Sequence, residues 1–137
     1  MPNLRRNYCI GPGESELLPI CEVTLLGPSG RLELPAIVDS GAVRPIFPAK
    51  AAEAVGIDLS KAPPYWIQYG ASRTRGWISP VRLSLGQDGP KLDTSVVFVE
   101  TIEFPYALLG RVGFFDRFNE VAFLHKSGPV PRFELRS

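Results

Sequence analysis

The sequence predicts a mainly β fold built as one domain, and three observations carry that expectation. The 137 residues include 13 glycines and 14 prolines, about a fifth of the chain, a density that breaks the chain into short segments with frequent turns. The apolar residues fall in short runs, several of them alternating with polar ones, which is the period of a half-buried strand. Only one stretch, Pro48 to Gly56, reads as a regular helix. At 45% hydrophobic residues the chain is rich enough to bury a single core.

Residues 1–16 are polar and carry Gly11, Pro12 and Gly13, so they read as an extended arm. The domain proper is placed over 17–125. Leu17 to Leu26 is a strand, with Cys21, Val23 and Leu25 alternating against Ile20, Glu22 and Thr24. Gly27-Pro28-Ser29-Gly30 turns the chain back into Leu32 to Val38. The helix follows, with proline in its first turn, an alanine-rich interior and glycine at its end. Pro63-Pro64 is a break, and Tyr65 to Leu85 reads as a hairpin whose tip is Gly70 to Gly76. Leu92 to Glu100, dominated by Val96-Val97-Phe98-Val99, and Asn119 to Leu124 are further strands. Residues 126–137, with two prolines and a glycine, read as a tail.

The chemistry concentrates at two places. Ala36-Ile37-Val38 is an apolar run that stops on Asp39, followed by Ser40-Gly41-Ala42. An apolar strand delivers the acid to the edge of a core, and the small residues let backbone and hydroxyl groups approach its carboxylate. Downstream, Tyr106-Ala107-Leu108-Leu109-Gly110-Arg111 is a second apolar run ending on glycine, followed by the amphipathic Val112 to Phe118. Asp-Ser-Gly alone is also ordinary turn chemistry. Taken together and in this order, residues 17–124 resemble a single-lobe, bacterial-type retropepsin-like aspartic protease.

That resemblance implies a closed β-barrel lobe with a flap hairpin and one or two short helices, active as a two-fold dimer. It implies catalytic roles for Asp39, Ser40 and Gly41. Ala42 and the hairpin residues Tyr69, Gly70, Ala71 and Ser72 would bind substrate, and Leu108, Leu109, Gly110 and Arg111 would support the site, Gly-Arg opening a short helix. The family's reaction uses two carboxylates, and Asp58, Asp88, Asp93 and Asp116 are not followed by Ser/Thr-Gly. The second carboxylate would therefore come from Asp39 of another copy. Peptide or protein is the implied substrate, and neither metal nor cofactor is required. Two departures stand out. Val43-Arg44-Pro45 fills the stretch in which retroviral members carry acids, so Arg111 lacks the partner it has there and Arg44 adds a like charge. The C-terminal strand of the retroviral dimer sheet is also hard to place, unless Phe133-Glu134-Leu135 supplies it.

Other function classes lack their residues. A net charge of +1 gives no electrostatic reason for nucleic acid or an anionic membrane as partner. The single histidine, His125, sits in no nucleophile motif and reads as a surface residue at a strand end. There is no zinc-type His/Cys spacing and no phosphate-binding glycine loop. No apolar run reaches the roughly 20 residues of a membrane span, and the basic N-terminus has no apolar segment after it. Cys9 and Cys21 read as free thiols in a reducing cytoplasm. Arg73 and Arg75 at the hairpin tip would favour acidic substrates in a binding role and otherwise read as solvated charges. Two functions follow: a homodimeric aspartic endopeptidase, or a peptide-binding or scaffolding lobe that has lost turnover. An unrelated small barrel with a chance triplet is the third reading.

Overall fold

A computed structural model describes residues 3–69, 71–87, 89–100 and 106–137. In chain order the elements are β1 (Leu4–Asn7), β2 (Cys9–Ile10), β3 (Leu17–Leu18), β4 (Ile20–Gly27), β5 (Gly30–Val38), β6 (Ile46–Pro48), α1 (Ala49–Val55), β7 (Pro64–Tyr69), β8 (Ser72–Leu85), β9 (Lys91–Val99), β10 (Ala107–Leu109), β11 (Glu120–Leu124) and β12 (Arg132–Arg136). A single 3-10 turn covers Phe115–Arg117. It is shorter than an amphipathic helix opening at Gly110-Arg111, because Gly113 takes a φ of 109° that no helix accommodates.

The barrel closes on itself. Strands run in the order β4, β5, β10, β6, β9, β8, and β8 pairs back onto β4, giving six staves and no open edge among them. Alternation decides which side chains enter. Cys21, Val23 and Leu25 of β4 are buried, as are Leu83 and Leu85 of β8, while Glu22 between them is exposed. Phe47 and Phe98 meet edge to face inside, with ring centroids 6.1 Å apart. Helix α1 closes one end of the barrel with Ala51, Ala52 and Val55. Gly56 ends it in the left-handed region at φ 79°, where a Cβ would also strike Ser29.

Strand β7 lies outside the barrel and pairs only with β8, so the hairpin is an extension of a stave. Its turn is tighter than Gly70 to Gly76. Tyr69 is already paired with Ser72, and Arg73 to Gly76 belong to β8. Gly76 is there for a different reason: a Cβ would come within 2.7 Å of Val97 Cγ1 and 2.8 Å of Phe98 O on the neighbouring stave.

The two ends of the chain are not loose. Within residues 1–16, β1 pairs antiparallel with β12, and β12 pairs with β11 on its other side. Leu4, Phe133 and Leu135 are thereby buried in the core. Phe133–Leu135 is thus the centre of a sheet internal to the chain and has no edge free for a partner's strand. Glu134, nearly buried, is held by Arg132 at 2.8 Å, Arg136 at 3.1 Å and Arg5 at 3.6 Å.

Both cysteines are free, Cys9 exposed and Cys21 only 2% exposed. Burial pushes the Cys21 thiol up from 9.0 to about 12, with Glu22 adding to the shift and Arg6 opposing it. The folded value is raised, so this thiol costs no stability below about pH 9. As pH rises above that, the unfolded chain loses a proton that the folded chain keeps. Stability then falls by about 1.4 kcal/mol per pH unit until about pH 12. Alkylation at pH 8 is expected to label one thiol per folded chain, Cys9, and two in denaturant, read by intact mass. Two labels in the folded protein would contradict this burial.

Candidate active site

The loop after β5 is fixed from both sides by main-chain bonds. Parallel β10 lies beside β5 with Leu109 opposite Val38. Where β5 ends, the Asp39 N–H donates to the Leu109 carbonyl at 3.0 Å, and the Arg111 N–H donates to the Ala42 carbonyl at 3.0 Å. Val112 N–H bonds the Val43 carbonyl at 2.7 Å. Between these clamps the Ala42 N–H closes a turn onto the Asp39 carbonyl at 3.2 Å. The Asp39 carboxylate accepts the Gly41 N–H at 2.8 Å, a side-chain turn that sets the orientation of the acid. Asp39 is half-buried, Ser40 and Gly41 are exposed, and Ala42 is buried.

Gly110 makes the clamp possible. A Cβ there would lie 2.5 Å from the Arg44 carbonyl carbon and 2.8 Å from the Ala42 oxygen. Leu108 and Leu109 fill the space beneath the loop, Leu109 fully buried. The Arg111 side chain is exposed, and its backbone rather than its charge serves the loop. No ion pair among the described residues involves Arg44 or Arg111.

Asp39, Gly41 and Ala42 form the floor of a cavity of about 280 Å³. Its roof is β7, through Tyr65, Trp66, Ile67 and Gln68, and Val43, Arg44, Ile46 and Leu108 complete the wall. The hairpin therefore overhangs the acid by its strand. At the turn, Tyr69 is paired with Ser72 and Ala71 is exposed, and Gly70 lies outside the described residues. Of the roof and wall residues, only Leu108 was assigned to the site from the sequence, and Tyr65 to Gln68, Val43, Arg44 and Ile46 were not. The apolar alternation of Tyr65 and Ile67 on β7 was the signal that could have found two of them.

Asp39 is the one carboxylate among the described residues that lines this cavity. The other described aspartates are engaged elsewhere. Asp58 accepts the Ser60 N–H at 2.9 Å, which holds its carboxyl below the usual range. Asp93 takes a two-pronged bond from Arg82 at 2.8 and 3.0 Å, which lowers it likewise, and Asp116 accepts the Gly113 N–H at 3.0 Å. Asp88 lies outside the described residues. His125 is exposed just past β11, where Nε2 meets the Tyr8 hydroxyl at 3.1 Å, and it does not line the cavity. Among the described residues no group of three His, Cys, Asp or Glu side chains is placed to hold a metal, and no helix is long and apolar enough to cross a membrane.

No family model and no curated protein matches the sequence. The fold is similar to a crystal structure of a retropepsin-like aspartic protease from Rickettsia conorii, with a TM-score of 0.62 at 12% identity. The match covers 97% of this chain and 98% of that one. With six staves closed into a barrel, one short helix and a hairpin over an Asp-Ser-Gly loop, this chain has the fold of a retropepsin-like aspartic protease lobe.

Proposed function

We propose that the chain is an aspartic endopeptidase whose active site is shared by two copies. The observation that carries this reading is the single carboxylate of Asp39, oriented by the Gly41 N–H at the floor of a cavity roofed by a hairpin. One carboxylate is insufficient for the reaction. In aspartic proteases, the standard case of two carboxylates sharing one proton, the pair activates water and polarises the carbonyl. A two-fold axis beside the exposed Ser40 brings the two Asp39 side chains together, and the Ser40 hydroxyls bridge the loops.

In that arrangement the ionised Asp39 takes a proton from water as its oxygen attacks the scissile carbonyl carbon. The protonated Asp39 gives its proton to the carbonyl oxygen. The tetrahedral intermediate collapses as a proton passes to the amide nitrogen and the C–N bond breaks, releasing an acid and an amine. Ala42 and the hairpin, from Tyr65 through Tyr69, Gly70, Ala71 and Ser72, hold the peptide extended and keep bulk water out. Leu108 to Arg111 keep the loop in place. The free thiols Cys9 and Cys21 suit a reducing compartment, and we place the enzyme in the cytoplasm. A lobe that binds peptides without turnover is the second reading, favoured by the cation Arg44 in the wall beside Asp39.

The shared site makes activity depend on association. Specific activity against a fluorogenic peptide is expected to rise with protein concentration, in step with the dimer fraction measured by sedimentation. Its pH profile should be a bell, because the pair must hold one proton and not two or none. A strict monomer that cleaves peptides, or a rate climbing steadily into alkaline pH, would overturn the reading.

A further inference from the structure

The cleft carries more positive charge than its one acid needs. Arg44 lines the cavity with its guanidinium 5.7 Å from the Tyr65 ring centroid. On the hairpin, Arg73 rests on Trp66 at 4.9 Å and Arg75 on Trp77 at 5.4 Å. The register puts Trp66 opposite Arg75, Gln68 opposite Arg73 and Pro64 opposite Trp77, so these residues share one face. Trp66 reaches the cavity and is 56% exposed. None of the three arginines has a carboxylate partner among the described residues. Elsewhere among the described residues Arg5, Arg82, Arg132 and Arg136 are paired with acids, while Arg6, Arg31, Arg111 and Arg117 are not, and of the unpaired arginines Arg44 is the one that lines the cavity.

A guanidinium resting on a ring is held in place with little entropy left to lose, and its N–H edge remains free for a carboxylate. An unpaired, preoriented arginine in a partly desolvated wall is a receptor for one acidic side chain. We propose that the cleft selects extended peptides bearing a glutamate or aspartate read by Arg44, while Arg73 and Arg75, on the hairpin face opposite Tyr65, add to the surrounding positive field. This specificity rests on the peptide-binding part of the reading above and does not require turnover.

The test uses the Asp39→Asn protein, so that binding is measured without cleavage. A synthetic library of decapeptides is passed over it, and the retained peptides are sequenced by mass spectrometry. The best binder is then resynthesised with each acid replaced by Gln or Lys, and affinities are read from Trp fluorescence. At one position the acidic peptide is expected to bind about tenfold more tightly than its Gln form. That gap should shrink as salt rises from about 0.05 to 0.5 M. Arg44→Glu should invert the preference toward Lys. Arg44→Gln, a milder change whose folding is checked by circular dichroism, should abolish it.

A library without acid enrichment, or equal binding of the Glu and Gln forms, overturns the proposal. A preference that survives Arg44→Gln and vanishes with Arg73→Gln and Arg75→Gln overturns the role of Arg44. Acid-selective binding beside a wild type that cleaves nothing sinks the protease reading and leaves this one standing. Cleavage without acid preference does the reverse.

Discussion

Asp39→Asn is expected to lower peptide cleavage by at least ~10³-fold while leaving the fold intact. Loss of a group on which the chemistry turns commonly costs this much or more. The amide oxygen of Asn still accepts the Gly41 N–H that orients Asp39, so the loop keeps its shape. In the proposed dimer, removing two neighbouring carboxylates also removes repulsion across the two-fold axis, so association should be no weaker. Turnover of a fluorogenic peptide, thermal unfolding and sedimentation read the three effects separately. Mixing adds a stricter check. An excess of Asp39→Asn protein should silence the wild type by drawing it into dimers with one carboxylate. Unchanged peptidase activity in the variant would exclude Asp39 from the chemistry.

Gly110→Ala is expected to cost about 2–3 kcal/mol of stability, the scale of forcing a methyl into a packed interior. The added Cβ meets main-chain atoms of Arg44 and Ala42 at 2.5 to 2.8 Å, and backbone cannot swing aside as a flexible side chain does. The loop must move, and Asp39 moves with it, so cleavage should fall further than stability alone explains. Gly128→Ala is the control, since its nearest neighbour would be an ordinary contact at 3.7 Å. It should stay within about 0.5 kcal/mol. Chemical denaturation gives both values, and a Gly110→Ala protein as stable as the wild type would mean the clamp is not as tight as the geometry requires.

Much of the barrel was legible because local patterns and the fold agree. Cys21, Val23 and Leu25 alternate and are buried together, and Pro48 and Gly56 bracket α1. The Asp39 loop and Leu108-Leu109-Gly110 were readable as two apolar runs, each stopping on small residues, which the fold sets side by side. The hairpin tip was drawn too long because Gly76 looks like turn chemistry. Its glycine serves instead for close approach to Val97 and Phe98, a reason that exists only after β9 has docked. The end segments were read as arm and tail for a related reason. Arg132-Phe133-Glu134-Leu135-Arg136 has too few apolar residues, between too many charges, to announce a core strand. Phe133 and Leu135 are buried on a strand held between β11 and β1, the latter more than a hundred residues away in sequence. Tyr65 to Gln68 were read as part of the hairpin, but their place in the lining of the Asp39 cavity depends on a fold-back that local spacing does not encode.

Strand β8 is one continuous rod with two jobs. From Ser84 to Gly76 it is laced to β9, the Glu100 N–H reaches the Arg75 carbonyl at 3.4 Å, and from there to the turn its partner is β7. The rung from Gly76 to Val99 is therefore the fulcrum of a lever whose long arm is built into the barrel wall. Any load placed on the overhanging arm by a clamped chain is carried axially into the stave that seals against β4. Grip on a ligand and the tightness of the barrel seam are thereby linked through a single strand.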